Sequence, residues 1–272
     1  MFSMFNVPNL FTAGNMLCGI LSILLSLSGR TDLAAFPIFI GAFFDFLDGF
    51  LARLLKQQGE LGKQLDSLAD MVTFGIAPGI MMLVLLISVS DGTVLTDNIF
   101  ASKDVFTNWF AGLYTKNSDF SWLPFTALFI PFMSMFRLAK FNIDTRQSES
   151  FIGVPTPANT IFFTAFPLIL LNRYSAPGVE DTIIRFIYQP AVIIPIIIVM
   201  SLLLVSEIPL FALKFKTFGW KKNKIRYIFL ITCLILIPTL LVWSIPIIVL
   251  LYIVLSVIEN IFFKKKQHEI QS

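Results

Sequence analysis

The segment DFLDGFLARLLKQQGELGKQLDSLAD, from Asp45 to Asp70, decides the fold. It starts inside one apolar run, FPIFIGAFFDFLDGFLARLL (Phe36 to Leu55), and ends at the entry of another, MVTFGIAPGIMMLVLLISVS (Met71 to Ser90). About 20 apolar residues cross a hydrocarbon core of roughly 30 Å, so each run has the length of a membrane span. The short polar stretch between them makes the two spans antiparallel neighbours. Four aspartates, Asp45, Asp48, Asp66 and Asp70, sit at the same ends of these two helices.

Outward from this segment, the chain keeps the same character. Its 272 residues are 56% hydrophobic and 14% charged, with a mean hydropathy of +0.82. A soluble domain carries about a quarter charged residues, so the composition is that of a membrane protein. Apolar windows predict an all-α, polytopic membrane helix bundle of about eight transmembrane helices. The windows fall at about 11–28, 33–55, 65–90, 122–142, 157–172, 183–205, 226–242 and 244–263. The last two meet at Trp243-Ser244-Ile245-Pro246, which reads either as a turn between two spans or as a kink in one long element. The loop from Asp91 to Ser121 reads as an external surface loop with Trp109, Tyr114 and Trp122 as interfacial aromatics.

Charge placement orients the bundle. With the N-terminus inside, the inner segments and adjoining span ends hold 15 of the 20 Lys and Arg residues. The outer side keeps Arg30, Lys103, Lys116, Arg173 and Arg185. This positive-inside bias predicts an integral protein of the cell (inner) membrane with the aspartates on the cytoplasmic side. The N-terminus lacks a basic leader and cleavage pattern, and is expected to stay in the mature chain. Lys221-Lys222-Asn223-Lys224 and Lys264-Lys265-Lys266 flank spans, so no nucleic-acid partner is expected. Cys18 and Cys233 sit far apart in apolar runs and read as core residues, and the single histidine, His268, lies in the polar tail. Acid–base chemistry therefore falls to carboxylates.

Asp45 and Asp48 are three residues apart and Asp66 and Asp70 four apart, so each pair shares one helix face. An ionisable group in a span costs about 2.5–3.5 kcal/mol on insertion scales, and four together require a compensating partner. Hard oxygen ligands suit Mg²⁺ or Mn²⁺, and two ions are expected because a phosphoryl substrate can bridge them. Gly49 and Ala52 leave room beside the aspartates, Arg53 is placed to bind phosphate, and Gly59 and Gly62 are expected to relax the turn between the helices.

The pattern D-x2-D-G-x2-A-R-x8-G-x3-D-x3-D, filled by Asp45, Asp48, Gly49, Ala52, Arg53, Gly62, Asp66 and Asp70, resembles the signature of the CDP-alcohol phosphotransferase family at every position. Three further stretches are similar to its phosphatidylserine synthase branch: NVPNLFTAGNMLCG (Asn6 to Gly19), MVTFGIAP (Met71 to Pro78) and FRLAKFNIDTRQSESFIGVPTPANT (Phe136 to Thr160). A plainer reading stands beside the last two, with Gly75 and Pro78 kinking a span and Arg137 and Lys140 serving as positive-inside anchors.

The resemblance implies a single membrane-embedded domain over 1–272, with a catalytic core at about 5–205 and additional spans at about 226–263. It implies metal ligation by Asp45, Asp48, Asp66 and Asp70, with Asp70 also the general base. It assigns Asn9, Thr12, Asn15, Gly49, Ala52, Arg53, Gly59 and Gly62 to a CDP site, and Arg137, Lys140 and Asn142 to the acceptor or its phosphate. The substrates it implies are CDP-diacylglycerol and L-serine among membrane lipids, the products phosphatidylserine and CMP, and the assembly a homodimer. Two other readings use the same acids: a sister enzyme with glycerol 3-phosphate or an inositol acceptor, and a cation transporter.

Overall fold

The computed structural model describes residues 5–90, 102–115, 120–144, 150–175, 181–211, 219–220 and 223–261. Helix α1 (Val7–Leu27) starts where the Asn6 side chain accepts the Asn9 backbone N–H at 2.9 Å. Pro8 occupies its first turn, where a missing N–H leaves no carbonyl unpaired. A tight bend through Gly29, at φ 84°, returns the chain as α2 (Thr31–Leu54).

After the turn at residues 55–59, α3 (Glu60–Asp70) leads through a π-helical stretch, Met71–Ile76, into α4 (Ala77–Ser90). The helix thus begins five residues before the expected span, because its polar first turns stand clear of the apolar window. Gly62 accordingly lies inside α3 and not in the turn. Gly59 is the N-cap, in extended backbone that any residue adopts. Pro78 has no N–H for the carbonyl four residues earlier, that of Phe74. The Thr160 hydroxyl donates to that oxygen at 2.7 Å, so the irregular stretch keeps its polar groups satisfied.

Helix α4 is apolar around its whole circumference and is the core of the bundle. Met81, Met82 and Leu86 are fully buried, and other helices surround it. The expected external loop contains a helix, α5 (Ser102–Thr115). Val105, Phe106 and Trp109 recur at helical spacing and pack on the core, a period hidden by the segment's polar average. Trp109 also donates to the Ser121 carbonyl at 3.0 Å. Residues 91–101 and 116–119 of that loop lie outside the described residues.

The chain continues through a 3₁₀ segment (Leu123–Leu128) into α6 (Phe129–Ile143), then β1 (Ser150–Ile152) and α7 (Thr156–Ser175). The window at 183–205 is two helices, α8 (Asp181–Ile187) and α9 (Pro190–Val205), divided where Pro190 opens the second. Strand β2 (Pro209–Phe211) pairs antiparallel with β1, Phe151 opposite Leu210. This three-residue ladder is the one non-helical pairing among the described residues.

Helices α10 (Lys224–Leu240) and α11 (Ser244–Glu259) form a hairpin. Arg226 at the start of one meets Glu259 at the end of the other at 3.5 Å, and the Phe229 and Tyr252 rings lie 5.8 Å apart. The chain reverses through a 3₁₀ turn, Leu241–Trp243, with Leu241 at φ 48°. The junction is therefore a turn between two helices and not a kink in one.

Four helical stretches are long and apolar enough to cross a membrane: Val7–Leu27, Thr31–Leu54, Glu60–Ser90 and Lys224–Glu259, the last being the α10–α11 hairpin taken together. Shorter apolar helices complete a polytopic helical membrane protein. The expected bundle of about eight helices corresponds, among the described residues, to α1, α2, α3–α4, α6, α7, α9, α10 and α11. Contacts of Thr12 with Asp48, Asn142 with Ser67, Lys140 with Glu207 and Asn260 with Pro209 join the ends of α1, α2, α3, α6, α9 and α11.

A carboxylate cluster and its pocket

The aspartates meet because of helix periodicity and one tight turn. Asp45 and Asp48 project from the last turns of α2, Asp66 and Asp70 from the second half of α3. Asp45, Asp48 and Asp66 each offer a carboxylate oxygen, and the three oxygens lie within 4.8 Å of one another. Asp70 closes the group, since Asp45 is within hydrogen-bonding reach of both Asp66 and Asp70.

Helix α1 supplies the supports. The Thr12 hydroxyl donates to Asp48 Oδ2 at 2.5 Å, and Asn15 Nδ2 donates to Asp70 Oδ1 at 3.1 Å. Thr73, in the π-helical stretch, donates to the Asn15 carbonyl at 2.8 Å and so ties α1 to the helix that carries Asp70. Gly19 makes this approach possible, because a Cβ there would stand 2.7 Å from the Thr73 Cα.

No ion pair joins a Lys or Arg to any of the four aspartates among the described residues. Arg137 is the cation within electrostatic reach of Asp70. Three carboxylates with oxygens this close, and a fourth, Asp70, beside them, form a hard-oxygen donor set that fits a divalent cation.

Beside the cluster lies a pocket of about 510 Å³. Asn9, Thr12, Asp48, Gly49, Ala52, Arg53, Gly59, Gly62 and Asp66 line it, which brings together most residues that the sequence assigned to a nucleotide site. No atom lies within 4 Å of a Cβ built on Gly49, so that glycine leaves open space, and one built on Gly62 would stand 3.4 Å from Asn9 Oδ1. Asn15 is fully buried behind the cluster and does not line the pocket.

The acceptor-side residues are placed differently. Arg137 is buried on α6, its guanidinium 4.6 Å from the centre of the Phe141 ring, and its Nε has no hydrogen-bond partner among the described residues. Asn142 donates to Ser67 Oγ at 2.8 Å, next to Asp66. Lys140 does not line the pocket and pairs with Glu207.

Sequence reading passed over Pro8, Gln57, Gln58, Glu60 and Lys63, which also line the pocket. A signal for two of them was present: Glu60, Lys63 and Asp66 recur every third residue, so they form one stripe along α3.

A helical membrane bundle that places these carboxylates and this pocket at one end defines a class of membrane transferase, and the chain belongs to the CDP-alcohol phosphatidyltransferase family, whose model matches residues 5–203. Within that class it is 33% identical over 170 residues to the CDP-diacylglycerol–serine O-phosphatidyltransferase of Bacillus subtilis, covering 61% of this chain and 75% of the relative. It is 32% identical over 169 residues to the enzyme of the same name from Helicobacter pylori, covering 61% of this chain and 59% of the relative. An archaetidylserine synthase of Methanothermobacter thermautotrophicus is 27% identical over 168 residues, covering 60% of this chain and 58% of the relative. The match thus spans about three fifths of the length of the latter two.

Proposed function

We propose that this chain transfers the phosphatidyl group of CDP-diacylglycerol to the hydroxyl of L-serine, giving phosphatidylserine and CMP. The observation that carries the reading is the gathering of Asp45, Asp48 and Asp66, with Asp70 beside them, at the edge of a pocket that also holds Arg53.

Asp45, Asp48, Asp66 and Asp70 would hold two divalent ions, Mg²⁺ or Mn²⁺. When bound, these ions supply electrostatic stabilisation of the pyrophosphate and of the departing phosphate. The chain's own residues account for the rest. Gly49, Ala52 and Gly62 leave space for the nucleotide, and Arg53 meets its phosphates. Asp70, held by Asn15, takes the proton of the serine hydroxyl as that oxygen bonds to the lipid phosphorus and the bond from phosphorus to the CMP oxygen breaks.

Arg137, buried near Asp70 with an unpartnered Nε, is placed to receive the serine carboxylate, and Asn142 beside Ser67 borders the same region. Lys140 contributes through its pair with Glu207, which anchors the end of α6. The lysine and arginine distribution supports a cytoplasmic site in the cell membrane, and a homodimer belongs to the same reading, checked by cross-linking in the membrane.

The test supplies purified protein with CDP-diacylglycerol and, in parallel, serine, glycerol 3-phosphate or inositol, with Mg²⁺, Mn²⁺ or a chelator. Phosphatidylserine and CMP in equal amounts, lost on chelation, are expected. Lipid product from another acceptor alone moves the assignment to a sister enzyme, and no CMP under any condition overturns transfer altogether.

A further inference from the structure

The pocket has two chemically different ends. Asp48 and Asp66 mark the end where cations belong, and Arg53, in the last turn of α2, stands between them and the turn, where a phosphate would lie. The other end is formed by Gln57, Gln58 and Glu60 at the α2–α3 turn, all exposed to water. From Asp66 to Glu60 is six residues of helix, about 9 Å at 1.5 Å per residue, which leaves room between them for a ribose and a pyrimidine ring.

The donor's orientation follows from its own chemistry. Its acyl chains must stay in the bilayer, so its nucleotide half extends toward the aqueous turn, where the base reaches Glu60. That carboxylate lines the pocket and has no hydrogen-bond or ion-pair partner among the described residues. A carboxylate only accepts hydrogen bonds, and cytosine presents an exocyclic amine that donates. Uracil presents a carbonyl oxygen at the same position, which would face the carboxylate lone pair to lone pair.

We propose that Glu60 is a specificity-determining residue, accepting the cytosine exocyclic amine and excluding uracil, with Gln57 and Gln58 bordering the base. This assignment rests on the CDP-dependent reading above. A structural role of Glu60, a negative charge in the first turn of α3, predicts an effect on stability and none on base preference.

The test compares inhibition of the wild-type enzyme by CMP and by UMP, then repeats it with Glu60→Gln, Glu60→Ala and Glu60→Asp, recording thermal stability in detergent alongside. Wild type is expected to favour CMP by about 10- to 100-fold, the range of one good base contact. Glu60→Gln, whose amide can turn to suit either base, is expected to bring the ratio below about threefold, while Glu60→Asp keeps a preference for CMP. A wild-type preference that survives in Glu60→Gln and Glu60→Ala overturns the proposal and leaves the CDP reading standing. Equal inhibition of wild type by the two nucleotides also overturns it, and no inhibition by either removes the CDP reading with it.

Discussion

The Thr12 hydroxyl on α1 donates to the Asp48 carboxylate on α2 at 2.5 Å, between two closely packed helices. Thr12 and Asp48 are both buried, so the hydroxyl fixes which Asp48 oxygen remains available. In the metal site proposed above, where Asp48 would be a ligand, loss of such a supporting hydrogen bond typically lowers metal affinity or activity 10- to 100-fold. Thr12→Val is therefore expected to raise the Mn²⁺ or Mg²⁺ concentration for half-maximal activity by about that factor, while Thr12→Ser keeps most of the affinity. A metal titration of the three proteins decides it, and superimposed curves would remove the orienting role.

Asp70 differs from the other three aspartates in receiving Asn15 and in lying near Arg137. As the base proposed above, it should be needed for chemistry more than for donor binding. Asp70→Asn is expected to lower kcat by about 10²- to 10⁴-fold, the usual worth of general base catalysis, while CMP still binds. Turnover of Asp70→Asn close to wild type ends the assignment.

The legible parts of this molecule were the local ones. The spacing of Asp45, Asp48, Asp66 and Asp70 and the short turn between their helices foretold the cluster, because helix periodicity fixes side-chain faces without any tertiary information. Contacts between distant segments left no comparable trace. Thr160 supports the Phe74 carbonyl from 86 positions away, and no local pattern marks it. Lys140 and Arg137 sit one turn apart near the end of one helix, and the pairing of Lys140 with Glu207, 67 positions later, has no mark in the local pattern. Glu60 escaped notice for the opposite reason: it stands in a polar turn, where charge is ordinary.

Two glycines of the same site should respond oppositely to one methyl group. At Gly19 a Cβ would stand 2.5 Å from Thr73 Oγ1 and 2.7 Å from its Cα, and backbone has no rotamer with which to give way. Gly19→Ala is expected to cost about 1–3 kcal/mol by forcing α1 from the π-helical stretch, lowering thermal stability and activity together. A Cβ on Gly49 meets nothing within 4 Å but enters the pocket. Gly49→Ala should leave the melting temperature in detergent unchanged and raise KM for the donor. Equal melting temperatures for wild type and Gly19→Ala would contradict the close approach of α1.

The α10–α11 hairpin grips β2 by polar contacts at its edge. Tyr252 donates to the Phe211 carbonyl at 2.9 Å, the Phe211 N–H donates to Ser256 Oγ at 3.4 Å, and Asn260 donates to the Pro209 carbonyl at 2.5 Å. Strand β2 has one partner strand, β1, so its other edge would be unpaired without α11. Because β1 leads into α7, and Glu207 just before β2 holds the end of α6, the hairpin steadies the connection between two helices that pack on the π-helical stretch following Asp70. Each hydrogen bond is worth about 1 kcal/mol net. Tyr252→Phe and Ser256→Ala should each lower stability in detergent by about that amount, and amide exchange in β1 and β2 should quicken in the double variant. Faster exchange in α10 and α11 alone, with β1 and β2 unchanged, would mean that the strands hold without the hairpin.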